Sequence, residues 1–150
     1  MTKAKPLNLA ASVRQRLMNL SRSRNEDFQL VLTRYALERL LYRLSQSEHR
    51  GVFVLKGAML FQLWGDHPHR PTRDVDLLGH GDISIPRFQR IFREVCELAV
   101  EEDGLVFSRT RSGAARSRRI SSTRGCVLPW SVGWKTPGFR SRSTLASVTW

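Results

Sequence analysis

Asp74 and Asp76 are separated by one residue within Thr72-Arg73-Asp74-Val75-Asp76-Leu77-Leu78-Gly79, a stretch that alternates polar and apolar side chains. Such alternation predicts a strand, and a period of two puts both carboxylates on one face while Val75 and Leu77 point into a core. Two carboxylates held that close repel each other, and a divalent cation relieves the repulsion. Oxygen ligands suit Mg²⁺ or Mn²⁺, and Mg²⁺ commonly completes its shell with water and substrate phosphates. Upstream, the apolar run Val52-Phe53-Val54-Leu55 enters Lys56-Gly57-Ala58 and then the apolar segment from Met59 to Trp64. A strand turning through glycine into a helix aims backbone N–H groups at whatever lies above it, which is a phosphate cradle. A cradle beside a carboxylate pair is equipment for metal-assisted phosphoryl or nucleotidyl transfer.

The surrounding pattern supplies elements to hold these groups. Leu9, Val13, Leu17 and Leu20 fall at helical spacing. A second helix is expected from Asn25 as N-cap, with Glu26 and Asp27 in its first turn and an apolar stripe from Phe28 to Leu44. Gly51–Leu55 reads as a strand, residues 66–71 as a loop by their prolines, and Pro86 opens an amphipathic helix through Ala99. Leu105-Val106-Phe107 starts another strand, so the expected order is α-α-β-α-β-α-β. The fold class is α+β, with N-terminal helices on a small mixed sheet.

At this point the residues resemble a known family. The stretch from Phe53 to Leu60, with Arg70-Pro71-Thr72-Arg73-Asp74-Val75-Asp76-Leu77-Leu78, is similar to the first motif of the AbiEii/AbiGii nucleotidyltransferase toxins. These are toxins of type IV toxin–antitoxin systems, within the superfamily of DNA-polymerase-beta-like nucleotidyltransferases. The resemblance covers about residues 8–107 and implies a metal-dependent enzyme that uses a nucleoside triphosphate and a nucleic-acid acceptor such as tRNA. It further implies a cytoplasmic protein with a cognate antitoxin that acts without direct contact. By resemblance, Asp74 and Asp76 are the catalytic, metal-binding pair, and Gly57 and Ala58 form the turn that holds the triphosphate. Ala58 stands where the family commonly has Ser, so a hydroxyl donor is lost and the backbone N–H is kept. Lys56 and Arg73 are expected phosphate contacts. The family also needs a third carboxylate on a neighbouring strand.

Composition sets the remaining bounds. The 150 residues carry 25 Lys or Arg and 13 Asp or Glu, a net charge of +12. Residues 1–107 hold 16 basic and all 13 acidic residues, whereas residues 108–150 hold nine basic residues, 14 Ser or Thr and no acid. No apolar run is long enough to span a membrane. Cys96 and Cys126 make no disulfide framework, and the N-terminus offers no secretory apolar stretch.

The chain therefore divides near Phe107 into an N-terminal part of a nucleotidyltransferase domain and a basic Ser/Arg-rich segment. The expectation for 108–150 is a disordered tail read out of frame. A one-base shift of residues 134–145 permits a translation with an acid where Thr144 stands, as the family's next strand would have. On that view the catalytic set is truncated, little activity survives, and the sheet edge at Leu105–Phe107 lacks a partner. The rival from another class is a basic nucleic-acid-binding protein whose affinity comes from residues 108–150.

Overall fold

Asn8 opens the first helix by accepting a hydrogen bond from the Ala11 N–H at 3.0 Å, which satisfies one of the free amides of the first turn. The computed structural model describes residues 8–60, 75–81, 84–109, 116–120, 123–128, 130–134 and 146–149. Helix α1 spans Leu9–Arg24 and α2 spans Phe28–Gln46. The cap of α2 is Asp27, not Asn25: its carboxylate accepts from the Leu30 N–H at 2.9 Å. Asn25 instead ends α1 in the left-handed region at φ 51°, a conformation Asn tolerates and most residues avoid.

Strand β1 (Phe53–Lys56) pairs antiparallel with β2 (Val75–Gly79). The expected two-residue period holds along β2. Val75 and Leu77 are fully buried, whereas Asp76 and Leu78 on the other face are half-exposed. Helix α3 (Ile85–Glu97) carries its proline in the first turn and covers the buried face. Phe88 and Phe92 meet Phe53 with ring centroids 5.8 and 5.6 Å apart. Cys96 lies in the same helix, and burial pushes its thiol up to about 12, so it serves as an unreactive packing group.

The loop after α3 is tied to α2 by charge. The Asp103 carboxylate accepts from Arg39 Nε at 2.8 Å, Arg43 Nη1 at 2.6 Å and the Leu105 N–H at 3.0 Å. Tyr35 Oη donates to the Asp103 carbonyl at 2.9 Å. Next in the chain, Gly104 at φ 79° lets α1 approach, since a Cβ there would stand 2.9 Å from the Ala10 Cα.

Strands follow in the segment where a structureless tail was expected. They are β3 (Leu105–Arg109), β4 (Arg116–Ile120), β5 (Thr123–Leu128), β6 (Trp130–Trp134) and β7 (Ala146–Thr149). The edge at Leu105–Phe107 does find a partner, because β6 pairs antiparallel along the whole of β3. Trp134 is buried in the core and stacks on Tyr35, with centroids 6.3 Å apart and planes 3° off parallel. The remaining strands form one sheet in the order β1-β2-β7-β5-β4, with β7 parallel to β2 and the other pairs antiparallel. The physical source of the difference is the apolar content that a Ser/Arg count hides. Val127, Trp130, Val132 and Trp134 are strand formers. Among the described residues, no helix is long and apolar enough to cross a membrane.

Candidate active site

Lys56 ends β1 and Asp76 stands directly across from it on β2. Directly opposed residues of an antiparallel pair share a face, so ammonium and carboxylate groups are placed on the same side of the sheet. The next residue, Gly57, turns the chain at φ 79° into a helix whose described part is residues 58–60. Its Leu60 N–H bonds the Gly57 carbonyl at 3.2 Å. The earlier amides of that turn have no intrahelical acceptor, as at any helix start, and mark the positive end of its dipole.

Gly57 is needed for more than the turn. A Cβ at this position would lie 3.1 Å from both Cβ and Cγ of Asp76 and would overlap its Oδ2. The missing side chain is the space in which the Asp76 carboxylate sits, against the backbone that opens the helix. Gly57 and Ala58 are exposed, and Lys56 and Asp76 are half-exposed, so a phosphorylated ligand and a cation can reach the group. Of the residues expected at the site, Lys56, Gly57, Ala58 and Asp76 are brought together here. Asp74 and Arg73 lie outside the described residues, as do Trp64, His67 and His69.

The strand beside Asp76 is β7, and the residue paired with Asp76 there is Ser147. Ser147 carries no carboxylate.

A second set of ligand-capable groups was not foreseen. Glu48, His49 and Glu94 each offer one ligand atom within 4.8 Å of the others, enough to coordinate a divalent metal. His49 Nε2 lies 2.6 Å from Glu94 Oε2 and 3.9 Å from Glu48 Oε1. An imidazole donor favours a transition ion over Mg²⁺. This cluster is separate from Asp76. His49 precedes β1, at the end where Phe53 pairs with Gly79, while Asp76 marks the other end of the pair. Nothing in the sequence signalled it, since Glu94 is 45 residues from His49 and on α3, whereas Glu48 and His49 lie in the turn after α2.

Comparison with known proteins places these features. No curated protein matches the chain. Residues 39–139 match the family described as nucleotidyl transferase AbiEii toxin, type IV TA system. The match begins later than the expected residue 8 and runs past the expected limit at residue 107, through β3, β4, β5 and β6. With most of its length so matched, including the turn at Gly57 and the strand of Asp76, the chain belongs to the AbiEii nucleotidyltransferase toxin family.

Proposed function

We propose that this chain is a metal-dependent nucleotidyltransferase that moves nucleotides from a nucleoside triphosphate to a nucleic-acid acceptor of the tRNA kind. The observation that carries the reading is the seating of Asp76 against Gly57 at a helix start, with Lys56 opposite. The half-exposed carboxylate of Asp76 is an oxygen donor that fits a hard cation. Asp74 and Asp76 would hold Mg²⁺ or Mn²⁺, which when bound neutralises phosphate charge. The chain's own groups do the rest. Amides of Gly57 and Ala58 bind phosphate oxygens, and Lys56 adds a positive charge beside them. Arg73 is assigned a further phosphate contact. Because residues 108–150 supply no third carboxylate, turnover is expected to be slow. The reading also implies a cytoplasmic protein countered by an antitoxin that does not touch it.

The test is transfer of label from each of the four nucleoside triphosphates to a tRNA pool, with Mg²⁺ or Mn²⁺. Slow incorporation that Asp76→Asn abolishes is the expected result. Incorporation indistinguishable between the two proteins would refute the assignment.

The second reading is a basic nucleic-acid-binding protein acting through residues 108–150. The nine basic residues of that segment, unrelieved by any acid, favour it. It predicts binding that trimming residues 108–150 removes.

A further inference from the structure

The turn that joins α2 to β1 sets an imidazole and a carboxylate against a carboxylate of α3, away from Asp76. Glu48 and His49 stand in that turn and Glu94 stands on α3, with one ligand atom of each within 4.8 Å of the other two. We propose that these three residues bind a dication of the Zn²⁺ class, which clips the turn to α3 and stabilises the domain. The inference is independent of the nucleotidyltransferase reading, because it concerns the other end of the β1–β2 pair and a different metal chemistry.

The donor set is the first argument. An imidazole nitrogen with carboxylate oxygens is a set that Zn²⁺ takes, whereas Mg²⁺ is bound through oxygen. Two carboxylates also balance the charge of a dication, so the occupied site is neutral. Geometry is the second argument. His49 Nε2 lies 2.6 Å from Glu94 Oε2, a hydrogen bond that holds one proton between them. An ion that binds both atoms takes the place of that proton, which leaves to solvent. Glu48 Oε1, 3.9 Å from the same nitrogen, supplies the third ligand. Ligand atoms on one Zn²⁺ stand roughly 3–3.5 Å apart, so both distances to Nε2 need adjust by less than about 1 Å. Rigidity is the third argument. The His49 side chain is only 17% exposed. Its N–H donates to Ser47 Oγ at 3.2 Å, and its carbonyl accepts from the Val52 N–H at 2.9 Å. Glu94 precedes the fully buried Val95, on a helix that Phe88 and Phe92 hold against Phe53. The mount is fixed and the two exposed carboxylates adapt, which lowers the ordering cost of binding.

The experiment titrates the full chain, stripped of metal, with Zn²⁺ by calorimetry and follows its melting temperature with and without the ion. An ion bound to the folded state alone should raise the melting temperature by roughly 5–10 °C at about a hundredfold excess over Kd. His49→Ala should weaken Zn²⁺ binding by about a hundredfold or more, beyond the loss of a merely supporting partner. It should also remove the imidazole nitrogen coupling from the paramagnetic resonance of Cu²⁺ used as a probe ion. Glu94→Gln, at an exposed position, keeps the side chain's shape and a hydrogen bond to His49, so the fold is preserved. It should still weaken Zn²⁺ binding by about tenfold or more. Glu97→Gln removes an equal charge from another exposed position of α3, and His67→Ala with His69→Ala removes two other imidazoles. Both should leave the affinity unchanged, as should Asp76→Asn, so failure of this site and failure of the Asp76 site are told apart. Mg²⁺ should bind the cluster more weakly than Zn²⁺. Zn²⁺ affinity that survives His49→Ala and Glu94→Gln, or that is lost equally in any of the control variants, would overturn the proposal. Mg²⁺ binding as tight as Zn²⁺, or binding with no rise in melting temperature, would overturn it as well.

Discussion

Gly57 and Asp76 occupy one space: the carboxylate of Asp76 lies where a side chain at Gly57 would begin, with the would-be Cβ 3.1 Å from Asp76 Cγ. Gly57 follows β1 and Asp76 lies on its antiparallel partner β2, and the two meet because Lys56, just before the turn, is in register with Asp76.

Gly57→Ala should therefore damage the site by two routes. The positive φ costs an L-residue roughly 1–2 kcal/mol, and the methyl group displaces the carboxylate. Chemical denaturation should show the first cost, and a Mn²⁺ titration should show affinity falling with it. Full metal affinity in a protein destabilised by that amount would mean that Asp76 does not form the site.

Ser147→Asp should act in the opposite direction. It places a third carboxylate in register beside Asp76, and a cation held by more protein oxygens keeps fewer waters. Metal affinity should rise by about tenfold, roughly 1.4 kcal/mol, as read by calorimetry. An unchanged affinity would show that β7 does not lie beside Asp76.

Asp103 contributes to the acid limit of stability. Burial pushes its carboxyl up, but hydrogen bonds from Arg43, Arg39 and the Leu105 N–H outweigh that effect, and its pKa lies below the ordinary 3.8. A lowered carboxyl contributes stability that is complete well above 3.8 and is lost as pH falls through the folded-state value. Asp103→Asn should cost about 3–5 kcal/mol near neutrality, since it leaves the buried Arg43 cation without its counter-charge. The variant's melting temperature should also fall less than the wild type's as the pH drops below about 4. Parallel pH profiles for the two proteins would contradict this.

Much of this was legible in the sequence, for identifiable reasons. The period of two around Val75 and Leu77 predicted which face Asp76 would take, and Pro86 marked where α3 begins. The cap of α2 was misplaced because Asn25 and Asp27 are both good capping residues, and only backbone geometry separates an N-cap from a left-handed helix end. Residues 108–150 were expected to be structureless because Arg and Ser counts dominate that segment, while the strands of its described residues draw on a few Val and Trp residues. The partner of β3 is set by contacts between distant parts of the chain, and so is the register that puts Ser147 beside Asp76. Neither leaves a local pattern.

Trp134 tests whether that segment is part of the folded domain. Buried and stacked on Tyr35, it should cost about 3–5 kcal/mol when replaced by alanine. Its fluorescence should shift with the cooperative unfolding of the helices. A stability change under ~0.5 kcal/mol, the scale of a surface substitution, would return residues 108–150 to an unstructured tail. Coding DNA whose adjacent frame stays open past residue 150 and encodes acids would do so as well.

The proposed function depends on a site for a divalent cation and a triphosphate at Asp76. The most direct measurement is Mn²⁺ binding to the full chain, followed by electron paramagnetic resonance with and without a nucleoside triphosphate. Weak binding is expected, in the millimolar range without nucleotide, that tightens when the triphosphate is added and disappears in Asp76→Asn. The Glu48, His49 and Glu94 cluster is held constant in both proteins and sets the background, which His49→Ala measures. Mn²⁺ binding that is lost in His49→Ala and unaffected in Asp76→Asn would contradict the account.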